Sequence, residues 1–294
     1  MSEPLDADVV EGLLELALSE DIGPGDVTTQ LVVPEGVRAR GVLVAREPGV
    51  LAGGPVVEAV YRRLSDAVAV GFSLREGEAF AVEEVLGEVR GPAAPLLTGE
   101  RVALNFLQRL SGVATVTRRY VEAVRGYDVE IFDTRKTTPG WRYLEKYAVR
   151  MGGGRNHRMG LYDQVLIKDN HIACVRPLGL LAELGPLLKE TRRLAPQGTV
   201  IEVEVQDLDQ LAQALAGGPD VVLLDNMPPE TLSEAVALVR ERSAEGRRPI
   251  LEASGGVDLE TVATVAATGV DRISVGGLTH SAPAIDIALE LTVA

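Results

Sequence analysis

The chain reads as an α/β protein: a small sheet-containing domain followed by a β/α barrel. Three observations predict this. From residue 129 onward, short β-branched runs alternate with stretches of helical spacing, the pattern of parallel strands joined by helical crossovers. Polar residues close almost every run, as in a barrel that gathers functional groups at one mouth; a doubly wound sheet would concentrate them at its switch point. Between the halves, Gly91-Pro92-Ala93-Ala94-Pro95 is the strongest boundary signal.

Residues 8–19 carry helix-spaced apolar positions, and Asp21-Ile22-Gly23-Pro24-Gly25-Asp26 forms a turn. Alternation over 37–45, then short apolar runs broken by Gly49, Gly53-Gly54 and Gly71, give a small sheet with a helix or two. A long helix follows over 100–125, where Val102, Phe106, Leu110, Val113, Thr117, Val121 and Val124 fall three or four apart. Ser111-Gly112 is a place for it to bend. Six strands are expected, at 129–132, 163–167, 200–205, 220–224, 250–253 and 270–275. Helices over 178–194, 208–216, 230–242 and 259–267 separate them. Arg135-Lys136 closes the first strand, Lys168 the second, Glu204 the third and Asp225 the fourth. Ser254-Gly255-Gly256 closes the fifth and Gly276-Gly277 the sixth.

A length of 294 residues suits one large or two ordinary domains, and 46% apolar with 24% charged residues suits a soluble globular chain. The net charge of −14 argues against nucleic-acid partners and against anionic membrane surfaces. A single cysteine, Cys174, excludes an internal disulfide framework. With no basic and apolar leader and no membrane-length apolar run, a cytoplasmic location is expected. The charge is unevenly placed. From Asp133 to His171, eight Lys/Arg face four acids, and the segment holds the only tryptophan. A basic island in an acidic chain suggests a site for a small anion.

The two late glycine loops let backbone N–H groups approach a phosphate, although tight turns would need the same residues. Gly152-Gly153-Gly154 follows no strand and so is not a dinucleotide fingerprint. Glu202 and Glu204 share the inward face of one strand. Glu202 suits a structural ion pair with lysine, whereas Glu204, nearer the mouth, can join Asp225 in holding Mg²⁺ or a sugar hydroxyl. His157, beside Arg158 and near Arg155, is placed to donate to an anion; His171 and His280 fix loops, and Cys174 is a packing thiol. No nucleophile–base arrangement emerges from spacing. The residues alone describe a barrel enzyme for an anionic, phosphorylated substrate and a divalent cation.

Longer motifs narrow this. Asp133-Thr134-Arg135-Lys136-Thr137-Thr138-Pro139-Gly140, Gly152-Gly153-Gly154-Arg155-Asn156-His157-Arg158 and Leu166-Ile167-Lys168-Asp169-Asn170-His171 resemble the quinolinate phosphoribosyltransferases. The likeness continues through Gly25-Asp26-Val27-Thr28-Thr29, Glu100-Arg101-Val102-Ala103-Leu104-Asn105, Leu224-Asp225-Asn226, Glu252-Ala253-Ser254-Gly255-Gly256 and Ser274-Val275-Gly276, so it covers roughly 20–290 in order. It implies an N-terminal α/β sandwich over 1–112 and an incomplete, seven-stranded β/α (TIM-like) barrel over 113–277. A tail, 278–294, is expected to pack back on the first domain as a helix over 282–291.

The resemblance also implies a reaction. Quinolinate, 5-phosphoribosyl 1-diphosphate and Mg²⁺ would give nicotinate mononucleotide, pyrophosphate and CO₂, a step towards NAD. By motif, Arg135, His157 and Arg158 would hold the quinolinate carboxylates, and Lys136 and Lys168 would line the shared anion pocket. Arg101 would act on the neighbouring subunit's site in a homodimer or higher homo-oligomer. Glu204 and Asp225 would lie near the ribose and metal, and Ser254, Gly255, Gly256 and Gly276 would form the phosphate loops. Trp141 and Gly277 depart from the family's usual residues, Trp141 at the expected pocket rim. The alternatives are a relative with another pyridine or nucleobase acceptor, a Schiff-base aldolase using Lys168, and a non-catalytic phosphoribosyl-ligand sensor.

Overall fold

The computed structural model describes residues 5–175, 183–242 and 248–293. Two compact units emerge: Met1–Arg118 with Thr137–Gly154 and Leu278–Ala294, and Arg119–Lys136 with Arg155–Gly277. Besides the tail from Leu278, the first unit takes in Thr137–Gly154, which lies within the span 113–277 read from the sequence as the second domain.

In chain order the first unit begins with α1 (Glu11–Ile22), preceded by a tight turn at Ala7–Val10, and α2 (Val27–Val32). The turn expected at 21–26 lies between them, and Asp26 caps α2 by accepting the Thr29 N–H at 2.9 Å. There follow β1 (Arg38–Ala45), β2 (Gly49–Val50), α3 (Gly54–Leu64), β3 (Ala69–Phe72), β4 (Ala79–Phe80), β5 (Val85–Pro92) and α4 (Ala93–Ala123). Gly91–Pro95 is therefore a direct strand-to-helix junction, not a domain break. Proline can open a helix because the first turn's N–H groups lack intrahelical partners. The long helix is present and starts seven residues earlier than its spacing predicts. Its apolar face, including Phe106, Leu107, Leu110 and Val113, is buried. Gly112 serves close approach: a Cβ there would lie 1.9 Å from the Pro283 carbonyl oxygen.

The remaining elements are β6 (Glu130–Phe132), α5 (Arg142–Met151), β7 (Val165–Ile167), α6 (Asp169–Val175), α7 (Leu184–Leu194), β8 (Ile201–Val205), α8 (Leu208–Leu215) and β9 (Val221–Asp225). The chain continues through α9 (Pro229–Arg242), β10 (Ile250–Ser254), α10 (Val262–Ala267), β11 (Arg272–Ser274), α11 (Gly277–His280) and β12 (Ile287–Val293). Part of the helix expected over 178–194 lies outside the described residues. The tail is a strand and not the helix expected over 282–291. Ile287-Ala288-Leu289-Glu290-Leu291-Thr292-Val293 alternates at strand period, and its backbone pairs antiparallel with β1 from Ala45↔Ile287 to Ala39↔Val293. It does return to the first unit, completing the sheet β12-β1-β5-β3.

In the second unit all six expected strands form one parallel sheet, in the order β6-β11-β10-β9-β8-β7. The strands run sequentially around the sheet, and β6 pairs with the last instead of with β7. That is a barrel opened between its first two strands. A seventh strand is not formed among the described residues; in its place Arg155 makes a single parallel bridge to Phe132. Every residue of β8 is buried, as expected of a parallel strand covered on both faces. No helix among the described residues is long and apolar enough to cross a membrane.

Candidate active site at the strand ends of the second unit

Parallel strands deliver their C-terminal ends to one rim. Arg135 and Lys136 follow β6, Lys168 follows β7, Glu204 lies near the end of β8, Asp225 ends β9, and Ser254 ends β10. Gly255 and Gly256 continue from Ser254, and Gly276 follows β11. Of the twelve residues singled out from sequence, only Arg101 lies outside this unit: it is exposed on α4, 4.0 Å from Glu100. The loop after β10 needs its first glycine. Gly255 has φ +97°, and a Cβ there would lie 2.2 Å from Asn226 Oδ1. Beside Gly256, at φ +62°, the corresponding space is open.

At the rim, Lys168 Nζ donates to Glu204 Oε2. The Glu204 side chain is 9% exposed and Lys168 41%, so the carboxylate is the buried partner and the cation reaches outward. Asp225 is half-buried and accepts from Asn226 Nδ2 at 2.8 Å. Lys136 is exposed, with its N–H donating to Thr134 Oγ1 at 3.0 Å. His171 fixes the turn after β7, since its Nδ1 accepts the Lys168 N–H at 2.9 Å.

Below the rim the interior is more charged than the sequence suggested. Glu202 is fully buried, but its partners are His157, 3.1 Å from Oε2, and the Gln164 amide; the expected lysine pair is not among them. Glu252, also fully buried, lies 3.5 Å from the same His157 Nε2. Because His157 Nδ1 accepts the Arg158 N–H at 2.8 Å, the ring proton belongs on Nε2, facing the carboxylates. Burial, with the adjacent Glu202 carboxylate, pushes the Glu252 carboxyl up to about 7. One imidazole and two carboxylates meet here, and no other such group of three occurs among the described residues; with its proton on Nε2 the imidazole donates to the carboxylates and is not set to ligate a metal. Sequence reasoning missed Glu252, although it shares the inward face of its strand with Ser254, two residues on.

Arg158 is buried, and its pKa is pushed down by desolvation and by the Arg135 guanidinium. Two guanidiniums close enough to disfavour each other form a place where an anion relieves repulsion. Trp141 belongs to the first unit and stacks on Phe106, centroids 4.7 Å apart, which accommodates the departure noted at this position. Cys174 is exposed on α6 and is not the packing thiol expected. That short helix buries none of its residues.

Residues 26–111 match the family description "Quinolinate phosphoribosyl transferase, N-terminal domain", and residues 113–290 match the corresponding C-terminal domain. A probable nicotinate-nucleotide pyrophosphorylase [carboxylating] of Bacillus subtilis (strain 168) is 43% identical over 95% of this chain and 92% of its own. The nicotinate-nucleotide pyrophosphorylase [carboxylating] of Mycobacterium leprae is 43% identical over 97% and 98%. The crystal structure of NadC from Streptococcus pyogenes superposes with a TM-score of 0.92 at 38% identity, covering 100% of both chains. With both domain matches in order and nearly full-length relatives, this chain belongs to the quinolinate phosphoribosyltransferase family.

Proposed function

We propose that the protein joins the phosphoribosyl group of 5-phosphoribosyl 1-diphosphate to quinolinate, releasing pyrophosphate and CO₂ and leaving nicotinate mononucleotide for NAD synthesis. The observation that carries this reading is the pair Arg135 and Arg158, one half-buried and one buried, held together in spite of their mutual repulsion. A pyridine dicarboxylate places two negative charges on one ring edge and satisfies both cations.

The pyridine nitrogen is the nucleophile, so the site needs no nucleophilic side chain. It needs cations that keep two anionic substrates together and carboxylates facing the ribose carbon that becomes electron-poor as pyrophosphate departs. Lys136 and Lys168 serve the first need, Glu204 and Asp225 the second. The glycine loops after β10 and β11 would let backbone come close to the 5-phosphate. After ribosylation the ring nitrogen is positive and stabilises the carbanion formed by CO₂ loss at the adjacent carbon.

Mg²⁺ fits this donor set. Glu204 and Asp225 offer hard oxygen ligands from neighbouring strands, and Mg²⁺ commonly takes one or two carboxylates with substrate phosphates completing its shell. When bound, it neutralises charge on the leaving pyrophosphate. In a homodimer or larger homo-oligomer, the exposed Arg101 adds a cation to the partner's site. The acidic surface and the small-anion chemistry favour no nucleic-acid or membrane partner, and a cytoplasmic location accords with the substrates. A Schiff-base reading is disfavoured because Lys168 sits on the Glu204 carboxylate, which suits an ammonium and not a free amine.

The test is one assay of protein, phosphoribosyl diphosphate and Mg²⁺ with either quinolinate or nicotinate. Mononucleotide and CO₂ are expected from quinolinate alone; turnover of nicotinate, or trapping of Lys168 by borohydride with a carbonyl substrate, overturns the reading. Arg135→Ala is expected to raise the quinolinate KM at least about tenfold while moving the phosphoribosyl diphosphate KM far less.

A further inference from the structure

The geometry points to Asp133 as a positioning residue that clasps the 155–158 segment to the end of β6, so that Arg135, His157 and Arg158 face the acceptor as one preset group. The inference rests on the acceptor reading given above and names a residue to which that reading assigns no role.

The need for a clasp follows from the open place in the barrel. Between β6 and β7 no strand pairing is formed among the described residues, and the backbone of the segment carrying His157 and Arg158 meets the sheet at the Phe132↔Arg155 bridge. Its backbone contribution is two bonds: the Arg155 N–H donates to the Ile131 carbonyl at 2.8 Å and the Asp133 N–H to the Arg155 carbonyl at 3.0 Å. Beyond Arg155 the backbone ladder stops. There a side chain continues it. Asp133 Oδ1 accepts the His157 N–H at 2.8 Å, and Oδ2 accepts Asn156 Nδ2 at 2.7 Å. Asp133 itself is fully buried, where a hydrogen bond to a charged acceptor is stronger than at the surface.

Each side of the clasp continues into binding residues. On one side Thr134 Oγ1 accepts the Lys136 N–H and closes a turn around Arg135. On the other, His157 Nδ1 accepts the Arg158 N–H, so fixing the His157 backbone fixes the next residue too. Without the carboxylate, the His157 N–H and Asn156 Nδ2 lose these two bonds, and the two halves of the cationic group lose a common reference. The acceptor should feel this loss, because its two carboxylates need both halves at once. The phosphoribosyl end, built on β8 to β11, should feel it far less.

The experiment compares full-length Asp133→Ala and Asp133→Asn with the wild type. It reads steady-state kinetics for each substrate and amide hydrogen exchange across 155–158. Asp133→Ala is expected to raise the quinolinate KM about tenfold or more with the phosphoribosyl diphosphate KM within about twofold, and to speed exchange at His157 and Arg158. Asp133→Asn, whose amide oxygen still accepts from the His157 N–H, is expected to recover most of the lost quinolinate affinity. Equal rises in both KM values, or a folded Asp133→Ala protein with unchanged quinolinate KM, overturn the proposal. If Asp133→Ala does not fold, Asn156→Ala, which removes one of the two bonds, is held to the same split. A wild type without quinolinate turnover sinks the functional reading instead, and the clasp is then decided by exchange at His157 and Arg158 alone.

Discussion

Glu252 shows how one residue ties stability to pH. Its carboxyl titrates near 7 in the folded chain against 4.5 as an ordinary glutamate, because burial and Glu202 both disfavour its charge. A carboxyl with a raised folded pKa binds more protons folded than unfolded, so its contribution to stability falls as pH rises through that window. The wild-type melting temperature is therefore expected to drop between about pH 5 and pH 8 more steeply than that of Glu252→Gln. Parallel slopes in a pH series of thermal melts would assign the dependence elsewhere. This residue was legible as part of a motif but not as a buried acid. Only the fold brings His157 and Glu202 to it across two other chain segments. Glu202 makes the same point: a lysine partner was the natural choice from a sequence with lysines at neighbouring strand ends, yet the opening of the barrel admits His157 and Gln164.

At the level of elements, α4 and the C-terminal tail define a tight contact within the first unit. Gly112 sits under the Pro283 carbonyl with no room for a methyl group. Gly112→Ala is expected to destabilise by about 1–3 kcal/mol despite alanine's better helix propensity, as measured by urea unfolding. A neutral or stabilising result would mean the tail can shift at little cost. The sequence marks this glycine as a possible bend because glycine in a helix is costly unless something requires it; what requires it is 171 residues further along the chain. Strand alternation in 287–293 was equally present in the sequence, but its apolar spacing also fits one face of a short helix. Pairing with the edge of β1 decides between them, because an unpaired edge leaves backbone donors and acceptors to water or to another chain.

Considered as a whole molecule, the chain places its cations and its acids with a purpose that net charge conceals. The strongly acidic total holds a local net of +4 over 133–171, and that island's binding candidates all lie in the second unit. Arg101 belongs to the first unit, and its assignment across a subunit interface has a quantitative consequence. In a dimer with free subunit exchange, equal amounts of Arg101→Ala and Arg135→Ala chains give hybrids in half the assemblies, each with one intact site. Activity is thus expected to recover to about one quarter of wild type. No recovery after demonstrated exchange would place Arg101 on its own chain's site or outside catalysis.

The sequence by itself determined the class of fold, the six parallel strands and the residues that end them, because strand period, helix period and turn chemistry are local properties written in consecutive residues. Its long motifs also determined the family. Tertiary structure alone decided which buried acid meets which base, why Gly112 and Gly255 must be glycine, and that the tail is a sheet edge. These depend on atoms brought together from distant parts of the chain, where burial and proximity set the energies and no local pattern records the partner.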